Sequence, residues 1–365
     1  MLYIKRYIIG LSLLGLVFFL PTSCIKENLE FCPPPASGKL WIEPSFTMHN
    51  QKDDNGQYKE LFTETTQRID LFFFDAETGL LQKSIYDSEV PASGTYRLPV
   101  DLPAGRYVAK AWANLYANKA TAIYPSIPQP HVTHLKEMEI YLSESAGAGK
   151  SLITLHPTSQ LWGTTGIFEV ASTGYKQDSV IPAKFIRNTN LIDFSIRWHD
   201  KDKKKLCPLW AHADSTRIYI DDANSTYALK DNSIVAADSI TYIPVYLTGA
   251  MAEKAFMEED IEAAATLEAR FTVMRLLTDT NPIIRITRLQ PDGSEREVYR
   301  KQLMKDFISQ RYTKQEELDR EERFVIELDF DCQHSSNNDQ DSWIAIRIAI
   351  NGWVLIDNGD IGLGK

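Results

Sequence analysis

The sequence predicts an all-β protein, built as two tandem Greek-key β-sandwich domains with a few short surface helices, and three observations carry that prediction. From Leu40 onward apolar residues recur with period two, the pattern of strands that bury one face. The apolar runs are short and bounded by Gly, Pro, Asn and Asp, with none of the strand–helix alternation that a parallel α/β sheet needs. Once an N-terminal leader is set aside about 340 residues remain, enough for two domains at the usual ~100–200 residues each.

The chain opens with Lys5 and Arg6 and then runs almost without polar side chains over 8–20. That length suits the apolar stretch of an export signal and is too short to cross a hydrocarbon core of about 30 Å. Pro21-Thr22-Ser23-Cys24 follows, small residues ahead of a cysteine, which resembles the lipobox cut before a diacylglyceryl-cysteine. Pro21 stands where that pattern usually carries an apolar residue, and Leu20 lies one place earlier. The expectation is a lipoprotein signal peptide over 1–23 and a lipid on Cys24. Two or three acyl chains, at about 0.8 kcal/mol per buried methylene, hold a protein on a membrane essentially permanently. Residues 24–38 include Cys32-Pro33-Pro34-Pro35-Ala36-Ser37-Gly38 and read as the lipidated spacer, because prolines keep backbone extended and glycine frees it.

The N-terminal sandwich is expected over 39–157. Residues 68–75 place Ile69, Leu71 and Phe73 on one face and Phe72 and Phe74 on the other, as in an inner strand. Asp75-Ala76-Glu77-Thr78-Gly79 supplies turn chemistry, and 80–85 returns to make a hairpin. A second pair, 95–102 and 106–114, is joined by Pro103-Ala104-Gly105. Residues 138–142 and 152–155 are expected to close this first unit, with the Ser-, Gly- and Ala-rich stretch 143–151 as a loop between them. The C-terminal sandwich is expected over 158–365, with strands at 165–170, 183–186, 191–198, 216–220, 241–247, 267–277, 283–289, 297–299, 323–330 and 343–351. Gln290-Pro291-Asp292-Gly293-Ser294 is a hairpin turn, since proline fixes φ and glycine accepts positive φ. Two segments break the β pattern, the Glu- and Ala-rich 252–265 and the charged 314–322, and both are expected as surface helices.

Composition and motifs exclude several functions. The net charge is −10, and the one basic cluster is Lys201-Asp202-Lys203-Lys204-Lys205, a solvated loop, so nucleic acid is not an expected partner. With Cys24 assigned to lipid, Cys32, Cys207 and Cys332 form an odd set without CxxC spacing, sufficient for at most one disulfide. Gly149-Lys150-Ser151 lacks the earlier glycine of a phosphate loop, because Glu144 stands there. Asp53-Asp54-Asn55-Gly56 resembles half a calcium loop, but Gln51 and Phe62 occupy its first and twelfth places. His131, His134 and Glu137 would gather around a metal only on a continuous helix, which the flanking residues disfavour. No catalytic motif is complete, and neither an enzyme activity nor a cofactor or metal is expected. Trp41, Trp112, Trp162 and Trp353 are candidate stacking platforms for a glycan, although their strand-like periodicity favours core packing.

Three stretches together resemble one family. They are Cys24-Ile25-Lys26-Glu27-Asn28-Leu29-Glu30-Phe31-Cys32-Pro33; then Ile69-Asp70-Leu71-Phe72-Phe73-Phe74-Asp75 with Gly79-Leu80, Leu102-Pro103-Ala104-Gly105-Arg106-Tyr107 and Ala111-Trp112-Ala113-Asn114; then Gln315-Glu316-Glu317-Leu318-Asp319-Arg320-Glu321 leading into Ile350-Asn351-Gly352-Trp353. In order and spacing the chain is similar to the fimbrial anchoring-subunit lipoproteins of the Bacteroidales. That resemblance implies transthyretin-like sandwiches, fimbrial shaft (fimbrillin) subunits as partners, and a lipid-anchored place on the outer membrane at the cell surface. It also implies control of fimbrial length and assembly by donor-strand exchange, in which an extended segment completes a neighbour's sheet. Lys26-Glu27 resembles the charged export signal of surface lipoproteins in that phylum. Asp178-Ser179-Val180, Asp214-Ser215-Thr216 and Asp238-Ser239-Ile240 resemble its O-glycosylation acceptors. A surface adhesin or glycan-binding lipoprotein is the alternative, and the sequence singles out no strand edge for a partner.

Overall fold

The computed structural model describes residues 38–115, 128–142, 145–147, 150–155, 158–172, 174–175, 177–199, 215–236, 239–249, 266–331 and 345–357. Cys24, the leader and the spacer as far as Ser37 lie outside the described residues, as do Cys32, Cys207, Cys332, the 201–205 cluster and the helix expected at 252–265.

The first strand, β1 (Leu40–Ser45), buries alternate residues, as its period-two pattern requires. A single helical turn, α1 (Phe62–Thr65), leads to β2 (Ile69–Asp75), buried on both faces up to Asp75. The hairpin to β3 (Leu81–Asp87) turns as expected: the Asp75 carboxylate accepts the Thr78 amide at 2.7 Å, and Gly79 has φ +72°. Only Leu98–Val100 of the expected 95–102 is strand, β4, and it is followed by β5 (Gly105–Ala113). Next come β6 (Glu139–Tyr141), β7 (Ser145–Gly147) and β8 (Lys150–Ile153), so the loop expected at 143–151 contains strand residues. The strand expected at 165–170 is instead two, β9 (Leu161–Thr165) and β10 (Phe168–Val170), separated by Gly166 and the exposed Ile167. Two long strands, β11 (Ser179–Arg187) and β12 (Thr189–His199), are separated by Asn188 alone.

Beyond them lie β13 (Thr216–Asp222), β14 (Thr226–Ala228), β15 (Ile234–Ala236), β16 (Ile240–Tyr242) and β17 (Tyr246–Gly249). Then follow β18 (Thr266–Met274), β19 (Ile283–Leu289) and β20 (Glu295–Gln302), the last two joined by the expected turn, with Gly293 at φ +83°. A wide helical turn, Leu303–Phe307, leads on to α2 (Gln315–Arg320), which lies inside the helix expected at 314–322. The chain ends its described course in β21 (Arg323–Asp331), β22 (Ala345–Ile350) and β23 (Trp353–Asp357).

The strands form one eight-stranded sheet, two six-stranded sheets and a small three-stranded one. The first runs β3-β2-β5-β9-β11-β1-β4, with β10 also on β5; the next two run β17-β18-β12-β21-β22-β23 and β20-β19-β13-β16-β8-β7; the small one is β15-β14-β6. The division expected at 157/158 does not follow these sheets. Strands β9, β10 and β11, from 161–187, complete the first sheet, whereas β6 and β8, from 139–153, pair with β14 and β16 of the second half. Periodicity fixes which face of a strand is apolar but not which strand lies beside it, and here the chain crosses between the halves three times, after β5, β8 and β11.

Two hydrophobic clusters result. Ile69, Leu71 and Phe73 of β2 enter one of them with Ile42, Phe46, Phe62 and Phe185. Phe72 and Phe74, on the opposite face, enter the other with Trp112, Ile140, Tyr227 and the sandwich of the second half. Because β2 is covered on both sides, its near-continuous apolar run is the pattern expected of an inner strand.

Candidate functional site

A sheet grips another chain most directly at an edge, where amides and carbonyls lack a strand partner, and proteins usually defend such edges. Edge strand β4 is three residues long and carries Pro99, which has no N–H to offer. Edge strand β20 bears Glu295, Arg296, Glu297, Arg300 and Lys301. Edge strand β3 carries Lys83, and its Leu81 already pairs with neighbouring chain: the Leu81 amide donates to Thr133 O at 2.8 Å, and the His131 amide donates to Leu81 O at 2.6 Å.

Edge strand β23 is different. Its sequence is Trp-Val-Leu-Ile-Asp, and Trp353, Val354 and Ile356 are exposed by 54%, 41% and 42%, while Leu355 is turned against the core. By the pairing of β23 with β22, Trp353 and Ile356 lie on one face and Val354 on the other, and all three stay exposed on an edge that, among the described residues, lacks the proline, the charge run or the covering segment seen on β4, β20 and β3.

The local cause of this strand is the pair Asn351-Gly352. Both residues have positive φ, 47° and 75°, the geometry of the tight hairpin turn that Asn-Gly favours because the two tolerate left-handed backbone. Asn351 is also pinned from several sides. Its amide donates to Val325 O at 2.8 Å, its Oδ1 accepts the Val325 amide at 2.7 Å, and its Nδ2 donates to the Tyr312 hydroxyl at 2.8 Å. Arg311 donates to Asn351 O at 3.1 Å and lays its guanidinium over both the Tyr312 and Trp353 rings, 5.3 and 5.4 Å from their centroids. Tyr312 meets the buried Phe324 edge-on at 5.4 Å, so the turn is tied to the core of the second sandwich. Burial, more than any neighbouring charge, raises the Tyr312 phenol above its ordinary pKa, keeping it a neutral partner for Asn351. The register then places Trp353 beside Ile350, Val354 beside Ala349 and Ile356 beside Ile348, with a bulge between.

The other sequence candidates fall elsewhere. Trp112 is fully buried and donates to Gln160 Oε1 at 3.2 Å, and the partly buried Trp162 donates to Leu229 O at 2.9 Å, both as packing residues. Trp41 is half-buried on β1, which leaves Trp353 as the exposed member of the four. His131 sits in a turn at φ +61°, and His134 caps the short turn Leu135–Glu137, its Nδ1 accepting the Lys136 amide at 3.2 Å while its ring covers Gly79. The two histidines therefore do not share a helical face, and among the described residues no group of His, Cys, Asp and Glu is arranged to hold a metal ion. Asp53 closes a turn on itself, its Oδ1 accepting the amides of Asn55 and Gln57 at 2.9 Å each. Lys150 and Ser151 lie in strand β8 rather than at the start of a helix. Asp178 Oδ1 accepts the Lys39 amide at 2.9 Å, and Ser179 opens β11. Asp214 and Asp238, the acidic members of the two other acceptor-like patterns, lie outside the described residues.

The family model for fimbrillin-A associated anchor proteins Mfa1 and Mfa2 matches residues 29–359, almost the whole chain. The chain belongs to this family. Solved structures agree with the fold. The fimbrial anchor protein Mfa2 from Porphyromonas gingivalis superposes with a TM-score of 0.62 at 19% identity, covering 87% of this chain and 99% of that one. A proposed polysaccharide-binding protein from Bacteroides thetaiotaomicron gives 0.64 at 20% identity, over 87% of this chain and 97% of its own. A proposed adhesin from the same species gives 0.64 at 18% identity, over 89% and 98%. At such identities these likenesses establish a shared β-sandwich fold. No curated protein sequence matches the chain.

Proposed function

We propose that this fimbrial anchor-family chain is a non-catalytic lipoprotein, held in the outer membrane at the cell surface by acyl chains on Cys24, with residues 1–23 removed and 24–38 as spacer. It receives a fimbrial shaft subunit by donor-strand-type pairing along β23 and, being fixed in the membrane, ends the shaft and so limits its length. Family membership supports a fimbrial partner, and the small residues before Cys24 support the lipid. The observation that carries the pairing site is the exposure of Trp353, Val354 and Ile356 together on one edge strand. An incoming strand would satisfy the free backbone groups of β23 and cover those side chains.

Two variants in the native organism test this. Cys24→Ala is expected to release shafts into the medium with this chain still attached. Val354→Lys combined with Ile356→Lys is expected to leave the chain on the membrane while the shafts are shed without it. Shafts that stay on the cell in both variants, at wild-type length by electron microscopy, would refute the reading.

A second reading is favoured by one observation, the exposed Trp353 ring stacked on Arg311, which is the kind of platform on which sugars pack. Retardation of the chain in polysaccharide affinity gels, abolished by Trp353→Ala, would support a glycan-binding adhesin over an anchor.

A further inference from the structure

We infer that the fold is a tension clamp, in which the strand ladders linking the tethered end of the chain to β23 are pulled in shear. This rests on the anchor reading, which places the tether ahead of β1 and the pull at β23.

Load from the membrane enters β1 at Leu40, two residues after the described chain begins. Strand β1 runs parallel to β11 over its 6 residues, with Leu40 beside Ser179 and Ser45 beside Lys184. Strand β11 leaves at Arg187 and passes through Asn188 straight into β12. The two pulls therefore act at opposite ends of the ladder, and its evenly spaced, slanted hydrogen bonds resist together. Were the pair antiparallel, both pulls would act at one end and the bonds would break singly, in sequence.

The second half repeats the geometry. Strand β12 starts at Thr189 and runs parallel to β21, with Leu191 beside Arg323 and His199 beside Asp331. Strand β22 returns beside β21, and β23 leaves with Asp357 beside Arg347, which itself lies beside Asp329. A shaft strand that leaves β23 at its Asp357 end pulls at the end of the sheet opposite Thr189, and the ladders between are again loaded lengthwise. Of the three parallel pairs among the described strands, two lie on this route, and the third, β16 with β8, spans three residue pairs.

The junction allows little slack. Residues Arg187, Asn188, Thr189 and Asn190 are all buried. The Asn188 amide donates to Gln160 O at 2.7 Å, its carbonyl accepts the Arg275 amide at 2.9 Å, and Asn190 Nδ2 donates to Glu321 O at 2.9 Å. Each half is thereby bonded to the connector that carries the load between them.

Single-molecule force spectroscopy on the full mature chain, residues 24–365, tests this by changing only the attachment point. In one preparation the handles are fused to the two chain ends. In the other the N-terminal handle is replaced by a bio-orthogonal side chain at the exposed turn residue Asn55, so that the pull reaches β1 from its Ser45 end, where β11 also leaves, and peels it. Forced unfolding reports the barrier along the pulling direction, so the end-to-end geometry is expected to rupture at about twofold higher force or more, with identical urea midpoints for the two preparations. Equal rupture forces overturn the clamp even where Cys24→Ala releases shafts. A high end-to-end force together with shafts retained by Cys24→Ala overturns it too, because load would then not enter at β1.

Discussion

Removing the Asn351 side chain should free the end of β23 without touching the rest of the sandwich. In Asn351→Ala the two short side-chain hydrogen bonds, to the Val325 amide and the Tyr312 hydroxyl, disappear, each contributing about 1 kcal/mol net, together with a long, weak one from Nδ2 to Arg323 O at 3.4 Å. Alanine at φ 47° adds about 1 kcal/mol of left-handed backbone strain that asparagine tolerates better, for a total of about 3 kcal/mol. Asn351→Gly loses the same bonds without the strain and should cost about 2 kcal/mol. Tyr312→Phe removes one of those bonds, worth about 1 kcal/mol to the turn, and also the hydroxyl's donation to Glu321 Oε2 at 3.2 Å, which joins no residue of β23. Because the lesion lies at the end of an edge hairpin, it should show first as local opening. Hydrogen exchange at the amides of Val354, Leu355 and Ile356 should accelerate in the order Tyr312→Phe, Asn351→Gly, Asn351→Ala, with a smaller shift in the urea midpoint. Shaft binding should weaken in the same order if β23 is the docking strand. If Asn351→Ala exchanges and unfolds within about 0.5 kcal/mol of the wild type, the view of Asn351 as the support of β23 is wrong.

The remaining predictions concern the body of the molecule. Phe73→Ala, in the core of the first sheet, should cost about 3–5 kcal/mol in urea unfolding, whereas Trp353→Ala at the exposed edge should stay within about 0.5 kcal/mol. His49 is buried, with Nε2 donating to Lys59 O at 2.8 Å and Nδ1 accepting the Gln51 amide at 3.0 Å, an arrangement that only the neutral ring satisfies. Burial lowers its pKa below the ordinary 6.5, and the charges of Arg187 and Arg320 add to the effect against the opposing hydrogen bond to Lys59 O. The unfolded chain therefore takes up a proton first, and the contribution of His49 is fully present above pH 6.5 and lost as pH falls below it. Urea midpoints measured between about pH 7.5 and 5.5 should fall more steeply in the wild type than in His49→Gln. Arg275 grips both Asp319 oxygens at 2.7 Å across the second half, with both side chains largely buried. Arg275→Met should cost about 2–3 kcal/mol, less than a fully buried pair because water still reaches the site, and a double-mutant cycle with Asp319→Asn should recover most of that loss.

Much of the fold is legible because local chemistry writes it. The run from Ile69 to Phe74 announces an inner strand, Asp75 through Gly79 announces its turn, and Gln290 through Ser294 announces another. The expected 283–289 matches β19 residue for residue. Strand β23 is the main omission, although Asn351-Gly352 ahead of an apolar run is a strong hairpin signal; those residues figure only in the family resemblance, and the expected strand stops at 351. Strands β14 and β15 are three residues each, too short for periodicity to register.

The sequence by itself determined the β class, the position of most strands and the cysteine after a signal-like leader, because alternation, turn residues and export patterns are properties of neighbouring residues. Tertiary structure alone decided the partners: that β9 to β11 belong with the first sheet, that β1 lies parallel to β11, and that β23 forms an apolar edge. A period of two states which way a side chain points, but strand pairing joins residues far apart in the chain, and nothing in either segment alone records the choice.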